Sequence, residues 1–574
     1  MTTISASKTL GVVLNPASYT NPIIIEAGVT ISNSAGSDAV SVSGSAYFFT
    51  LQNDGTISGS DTSSGVGVYL APGGSVTNTV LGSIAGGYHG VYMRVGSAMV
   101  VNEGTIAGTG AARGIGVEVG GGSVTNAASA SITGGRIGVY IRATGTVVND
   151  GSIAGGPHND YANGFGVYLY EGGSVTNGAS ASITGGYGIR INGGEVNGTG
   201  TVVNDGSIAG TNGFGINGVG VALFTRRGVV SNAASALITG ESGVLLATGG
   251  TLTNAGTIMG NSGTAVAFGG IGGNLLVLEA TYRFSGLVTG SKSASNTLEL
   301  ASTASIGTVT GLGTKFTNFG PIKFDVGADW SISGNTSGLA GAISGFAQGD
   351  TIMLTGVTET TSSFSGGILK LDETVGSATL DLPGTFISAS NFHVAPIPGG
   401  TEVTVACFAA GTRILTTSGE MAVETLVPGD LLMTRSGELL PARWIGHRHL
   451  DCRRHPKPDD VWPVCVRVGA FGANIPNRDL LLSPDHAVFV DDVLIPIRYL
   501  INGASIVQEQ VERVTYYHVE LAQHDVILAE GLPCESYLDT GNRSAFANDG
   551  DEVMLHPGKF AETHSAVWDL NMLR

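Results

Sequence analysis

The sequence predicts an all-β protein, a parallel right-handed β-helix solenoid followed by a second, compact β-rich domain. Three observations carry this expectation. Glycine supplies 91 of 574 residues without the period of three that collagen needs, while Val, Ile, Leu and Thr stay abundant. Short segments ending in Asn recur at Asn33, Asn53, Asn78, Asn102, Asn126, Asn149, Asn177, Asn204, Asn232 and Asn254, about 20–28 residues apart, as in stacked-coil repeats. All four cysteines (Cys407, Cys452, Cys465 and Cys534) fall in the last third, where the composition changes.

In chain order, residues 1–28 read as a cap over one end of the solenoid, which would otherwise expose an unpaired strand edge. Residues 29–280 carry the regular repeats. Each Asn usually follows Val-Thr or Val-Val and precedes a short strand such as Gly104–Gly108 or Gly206–Gly210. A second strand alternates, as in Val68-Tyr69-Leu70, Val91-Tyr92-Met93, Val117-Glu118-Val119, Val139-Tyr140-Ile141 and Val167-Tyr168-Leu169. Period two puts the outer two side chains on one face and the middle one on the other. One coil cannot bury its inner face alone, but coils stacked every ~4.8 Å make a continuous core. Gly at the corners accepts positive φ without a Cβ clash, and stacked Asn side chains can hydrogen-bond along the axis as a ladder. In repeat style this region resembles the passengers of bacterial autotransporters and surface adhesins. The stripe of Tyr69, Tyr92, Tyr140 and Tyr168, interrupted by Glu118, reads first as cross-coil stacking and second as a surface for a carbohydrate ligand.

Residues 281–395 keep the β character but lose the regular spacing, and 396–406, opening with Pro-Ile-Pro-Gly-Gly, read as a linker. Residues 407–540 form the second domain, and 541–574 a polar, acidic tail. A formal charge of −18 argues against nucleic-acid binding, which needs clustered bases to neutralise phosphates. The N-terminus lacks the apolar core of a Sec signal peptide, and no apolar stretch approaches the ~20 residues of a membrane span. The expectation is a protein secreted or held at the cell surface by a leaderless route.

Cys407 opens the second domain. A nucleophile at the first position of a domain can attack the peptide bond joining it to what precedes, here Ala406–Cys407. Three ordered blocks follow: Cys407–Thr434 (CFAAGTRILTTSGEMAVETLVPGDLLMT), Leu480–Val490 (LLLSPDHAVFV) and Tyr516–Gly531 (YYHVELAQHDVILAEG). Over Cys407 to Tyr537 this pattern resembles the Hint superfamily, the hedgehog and intein autoprocessing fold. The resemblance implies that Cys407 is the nucleophile and that Ser483 and His486 stand for the family's Thr/Ser-x-x-His. His486, titrating in the working range, would protonate the departing amide nitrogen, and Ser483 would orient the scissile peptide. His524 and Asp525, on the closing strands, are second candidates for activating an incoming nucleophile. His518 falls where splicing inteins often carry an Asp, and no role is assigned to it on sequence.

Inteins finish with His-Asn, whose Asn cyclises; here those positions are Glu535 and Ser536, so full splicing is not expected. What remains is autoproteolysis: an N-to-S acyl shift gives a thioester, resolved by water, by Cys534 or Ser536, or by an external nucleophile. The chain's own N-terminal part is then the substrate. The alternative is a structural adhesin or matrix protein whose Hint domain is inactive. His447, His449, Cys452, His455 and Cys465 fit no standard zinc-ligand spacing, so the segment reads as a solvated basic loop, and no metal or cofactor is expected.

Overall fold

In a computed structural model, the structure describes residues 1–536 except 35–37, 43–46, 62–63, 96, 158–163, 195–197, 212–217, 271, 303–306, 326–327, 347–349, 375, 384–392, 398, 405–406, 455–457, 492 and 522–524. Nearly all elements are strands; among the described residues there is no α-helix, only short 3-10 turns. Two compact units divide the chain: Met1–Ala301 with Thr310–Ile322, and Ser302–Val309 with Lys323–Arg574.

The first unit is a parallel β-solenoid. Each regular coil contributes three strands, represented by Gly122–Asn126, Ser131–Gly134 and Ile137–Ile141. Each strand pairs in parallel and in register with its counterparts one coil away, so Val124 lies opposite Val100 and Val147, and Ile132 opposite Ile106 and Ile153. Stacking identical inward positions makes columns of β-branched side chains with no exposure, including Val100, Val124, Val147, Ile106 and Ile132. Burial of that apolar surface, at about 25 cal/mol per Å², is what holds coils too small to fold alone.

Two features sharpen the geometry. From Asn53 to Asn254 each Asn Nδ2 donates to the next Asn Oδ1 at 2.8–2.9 Å, inside the solenoid. The same amides also donate to carbonyls that open the following strands, as Asn126 does to Ser152 at 3.1 Å. Glycine serves more than the corners. A Cβ on Gly116 would lie 2.6 Å from Gly138 O and 2.7 Å from Ile132 Cγ2, so close packing excludes a side chain there.

Several expectations change. Asn33 is not a rung: it follows Thr30–Ser32, which pairs with Thr56–Ser58, while the position opposite Asn53 is Ile25. Residues 1–28 are continuous with the solenoid: Thr2–Ile4 and Ile23–Ile25 pair in parallel with each other and then with Leu51–Asn53. They are a first coil of the same stack. The tyrosines stack on one another along the axis, Tyr69 on Tyr92 at 5.3 Å and Tyr140 on Tyr168 at 5.1 Å. Their ring faces are thereby turned toward neighbouring coils, which favours the stacking role over sugar binding. Glu118 between them is 1 % exposed and pairs with His89 at 2.8 Å and with Arg142. Burial would raise its pKa, but His89 and Arg142 outweigh this and lower it.

In the second unit, Trp330–Gly334 pairs in parallel with Thr351–Thr355, and Trp330 is fully buried. Thr361–Ser365, Ile368–Asp372 and Ser377–Asp381 make a small antiparallel sheet. The expected linker is instead structured. His393–Ile397 and Gly400–Thr404 form an antiparallel hairpin, whose second strand also pairs with Thr351–Thr355. Gly399, with positive φ, lies in the turn of that hairpin, so the Pro- and Gly-rich composition here serves a tight turn between paired strands. Beyond it, strands from Phe408 to Glu535 form one antiparallel assembly around the core of Ile414, Val464, Leu482, Val488, Val519 and Ile527.

Candidate active site

Strand register builds the site. Phe408–Ala409 lies between two partners, with Phe408 opposite Leu482 and opposite Tyr517. Both pairings are antiparallel, so one step back along the chain sets Cys407 against Ser483 on one side and His518 on the other. The hydrogen bonds follow: Cys407 N–H donates to Ser483 Oγ at 2.7 Å, and Ser483 N–H donates to Cys407 O at 2.9 Å. On the other side Cys407 Sγ meets His518 Nε2 directly.

His486 reaches the site from the turn after Ser483. Its N–H donates to Ser483 O at 3.0 Å, and its ring packs 4.1 Å from the ring of Phe408. Asp485 in the same turn pairs with Arg498 at 2.8 Å, and Arg498 N–H donates to Pro484 O, fixing the turn to the 3-10 segment Ile497–Leu500. Cys407, Ser483, His486 and His518 are all 2 % exposed or less.

That burial sets the electrostatics. Desolvation pushes the Cys407 thiol well above its ordinary pKa; the charge of Arg448 opposes this, while Glu535 and Asp485 add to it. Desolvation also holds His518 well below the usual imidazole value, helped by neighbouring His486 and Arg448. Both shifts favour uncharged forms. A neutral thiol therefore faces a neutral imidazole able to take its proton.

The other expected residues fall differently. Asp525 and Ser536 bind each other, Asp525 N–H to Ser536 Oγ at 3.0 Å and Ser536 N–H to Asp525 O at 2.8 Å, which closes the final strand pair. Cys534 is fully buried among Val488, Ile527 and Leu532, in a different core cluster from Cys407. Its thiol is pushed well up by burial. Cys534 thus packs in a hydrophobic cluster separate from that of Cys407, and the mutual bonding of Ser536 with Asp525 gives Ser536 a structural task. Ala406, His455 and His524 lie outside the described residues. The His447–Cys465 segment is not a loop: Leu439–Asp451 is one long strand, and Cys465 lies in Val464–Val466. His518, to which no role is assigned on sequence, is marked by its antiparallel pairing with the start of the domain.

A solenoid thus precedes an antiparallel β domain that begins with a buried cysteine paired to a histidine. Residues 406–541 match the family model described as Hint domain, so the C-terminal part of this chain is a Hint domain. No curated protein matches the chain.

Proposed function

We propose that the Hint domain cleaves its own chain at Ala406–Cys407 through a thioester. His518 Nε2 takes the thiol proton as Cys407 Sγ bonds to the carbonyl carbon of Ala406. The carbon–nitrogen bond then breaks, and the Cys407 nitrogen leaves with a proton from the imidazole set of His486 and His518. Ser483 Oγ, accepting the N–H of Cys407, holds that nitrogen in line. Water or another external nucleophile next attacks the thioester, releasing the thiol and leaving the acyl group on the acceptor; with water the new C-terminus is the Ala406 carboxylate. Glu535 and Ser536 offer no cyclising amide, so the reaction stops at cleavage. No cofactor enters these steps.

The observation that carries this reading is the placement of Cys407 between Ser483 and His518, bound to both. The inactive alternative draws on one observation, the burial of the thiol. Hydroxylamine decides between them. Under native conditions it should convert the wild-type chain to two fragments, with a hydroxamate at Ala406, and leave Cys407→Ala intact. Wild type that stays whole in hydroxylamine favours the inactive domain.

We infer further that the solenoid is the passenger, an exported or surface structure of adhesin type. Its cysteine-free coils and acidic balance support this, and fractionation of the producing cell tests it. Recovery only from the cytoplasm would count against it.

A further inference from the structure

We propose that the chain's β-structure just upstream of the scissile bond, residues 323–404, stays docked on the Hint domain after cleavage. The processed protein would then be a non-covalent complex of two chains, clasped at Arg448. This rests on the cleavage reading above.

The contact is built from both sides of the cut. Arg448 lies on the Hint strand Leu439–Asp451, opposite Tyr516, and its side chain is only 6 % exposed. Its guanidinium donates to the carbonyl of Ala328 and sits 3.1 Å from Asp329 Oδ1. Both partners belong to the segment upstream of Ala406. Leu450 and Cys452, two and four residues further on, pack with Cys407 and Tyr516, so the clasp adjoins the nucleophile's own core. Asp329 also acts electrostatically on Cys452, and Glu359 and Glu402 act on Tyr499. The approach of the two parts therefore extends beyond one residue.

Cleavage would disturb none of this. Gly400–Thr404 is paired on both sides, with Thr351–Thr355 and His393–Ile397, while Phe408–Ala409 is paired on both sides within the Hint sheet. Cutting between them removes no ladder hydrogen bond among the described residues. It removes only the tether, an entropic contribution that varies slowly with length. Separation would also take Ala328 O and Asp329 from a buried guanidinium, a cost unless water replaces them.

The test uses the full-length chain in two forms. The first is wild type, scored for cleavage by intact mass in denaturant. The second is Cys407→Ala with a site for an exogenous protease inserted after Ala406 and cut to completion. Each is then sized under native conditions at micromolar concentration. The expected result is a single species with the mass of the whole chain, resolving into two only in denaturant. Arg448→Ala in the protease-cut form should raise the apparent dissociation constant at least tenfold, with Arg448→Lys intermediate. Two separate native species from the protease-cut chain would overturn the inference whatever wild type does. An uncut wild type in denaturant would overturn the cleavage reading alone. Equal retention by the Arg448→Ala form and its parent would remove Arg448 as the clasp.

Discussion

Cys407 and His518 meet where neither is readily charged, and the chemistry follows from that. A thiolate preformed in this pocket would lack solvent, so on the proposed route the proton passes to His518 as the sulfur attacks. Removing the acceptor, in His518→Ala, should slow cleavage by about 10²–10⁴-fold, the usual span for general acid–base groups, as read by the appearance of fragments over time. Because burial and its neighbours hold His518 below the normal imidazole range, it stays neutral as acidity rises. The cleavage rate should therefore persist as pH falls past 6.5 and fail only well below it. A rate that halves near 6.5 would mean that an ordinary histidine controls the step. Cys407, Ser483 and His486 were legible in sequence, since each sits in a local block. His518 stands in the third block, but its pairing with Cys407 was not legible, because the two lie 111 residues apart in sequence. Cys534, whose place near the end of the domain suggested chemistry, lies among Val488, Ile527 and Leu532, surroundings that only the fold reveals.

Among elements, the Asn ladder and the glycine column carry the clearest consequences. Asn126 accepts from Asn102 and donates to Asn149, each at 2.8 Å. Asn126→Ala takes the ladder donor from Asn149 Oδ1, while Asn102 Nδ2 keeps the carbonyls of Gly104 and Ser131. A loss of about 1–3 kcal/mol in denaturant unfolding is expected on that basis. Gly116→Ala should also destabilise, since the added methyl meets the Gly138 carbonyl from the next coil; a neutral result in the same assay would mean that the coils shift apart easily. The repeats were readable because period and alternation are properties of sequence alone. Asn33 shared the composition of a rung but lies on the other face of its coil, which only strand pairing reveals. The hairpin around Pro396–Gly400 escaped for a related reason: turn residues look alike in a linker and between paired strands.

At the scale of the whole molecule, the site's charges shape stability as well as reaction. His518, with its folded pKa below 6.5, binds its proton more readily when unfolded, so its contribution is present above 6.5 and is lost as pH falls toward the folded value. Cys407, raised above 9.0, contributes fully below that value, and the contribution is lost as pH rises toward the folded one. The Hint transition should accordingly be most stable between these limits, and His518→Gln should lessen the acid-side decline in thermal unfolding of the full chain. An unchanged acid limb would mean that other groups govern it. A β-solenoid followed by a Hint domain was visible from where repeats end and cysteines begin, whereas the division into two compact units near residues 301–323 needed the fold.

The most direct measurement is the N-terminal sequence of any smaller fragment found when purified wild type is unfolded. A fragment beginning with Cys407-Phe408-Ala409 is the expected result, absent from Cys407→Ala. A fragment starting at any other residue, or its equal yield from the cysteine-free variant, would contradict self-cleavage by this thiol.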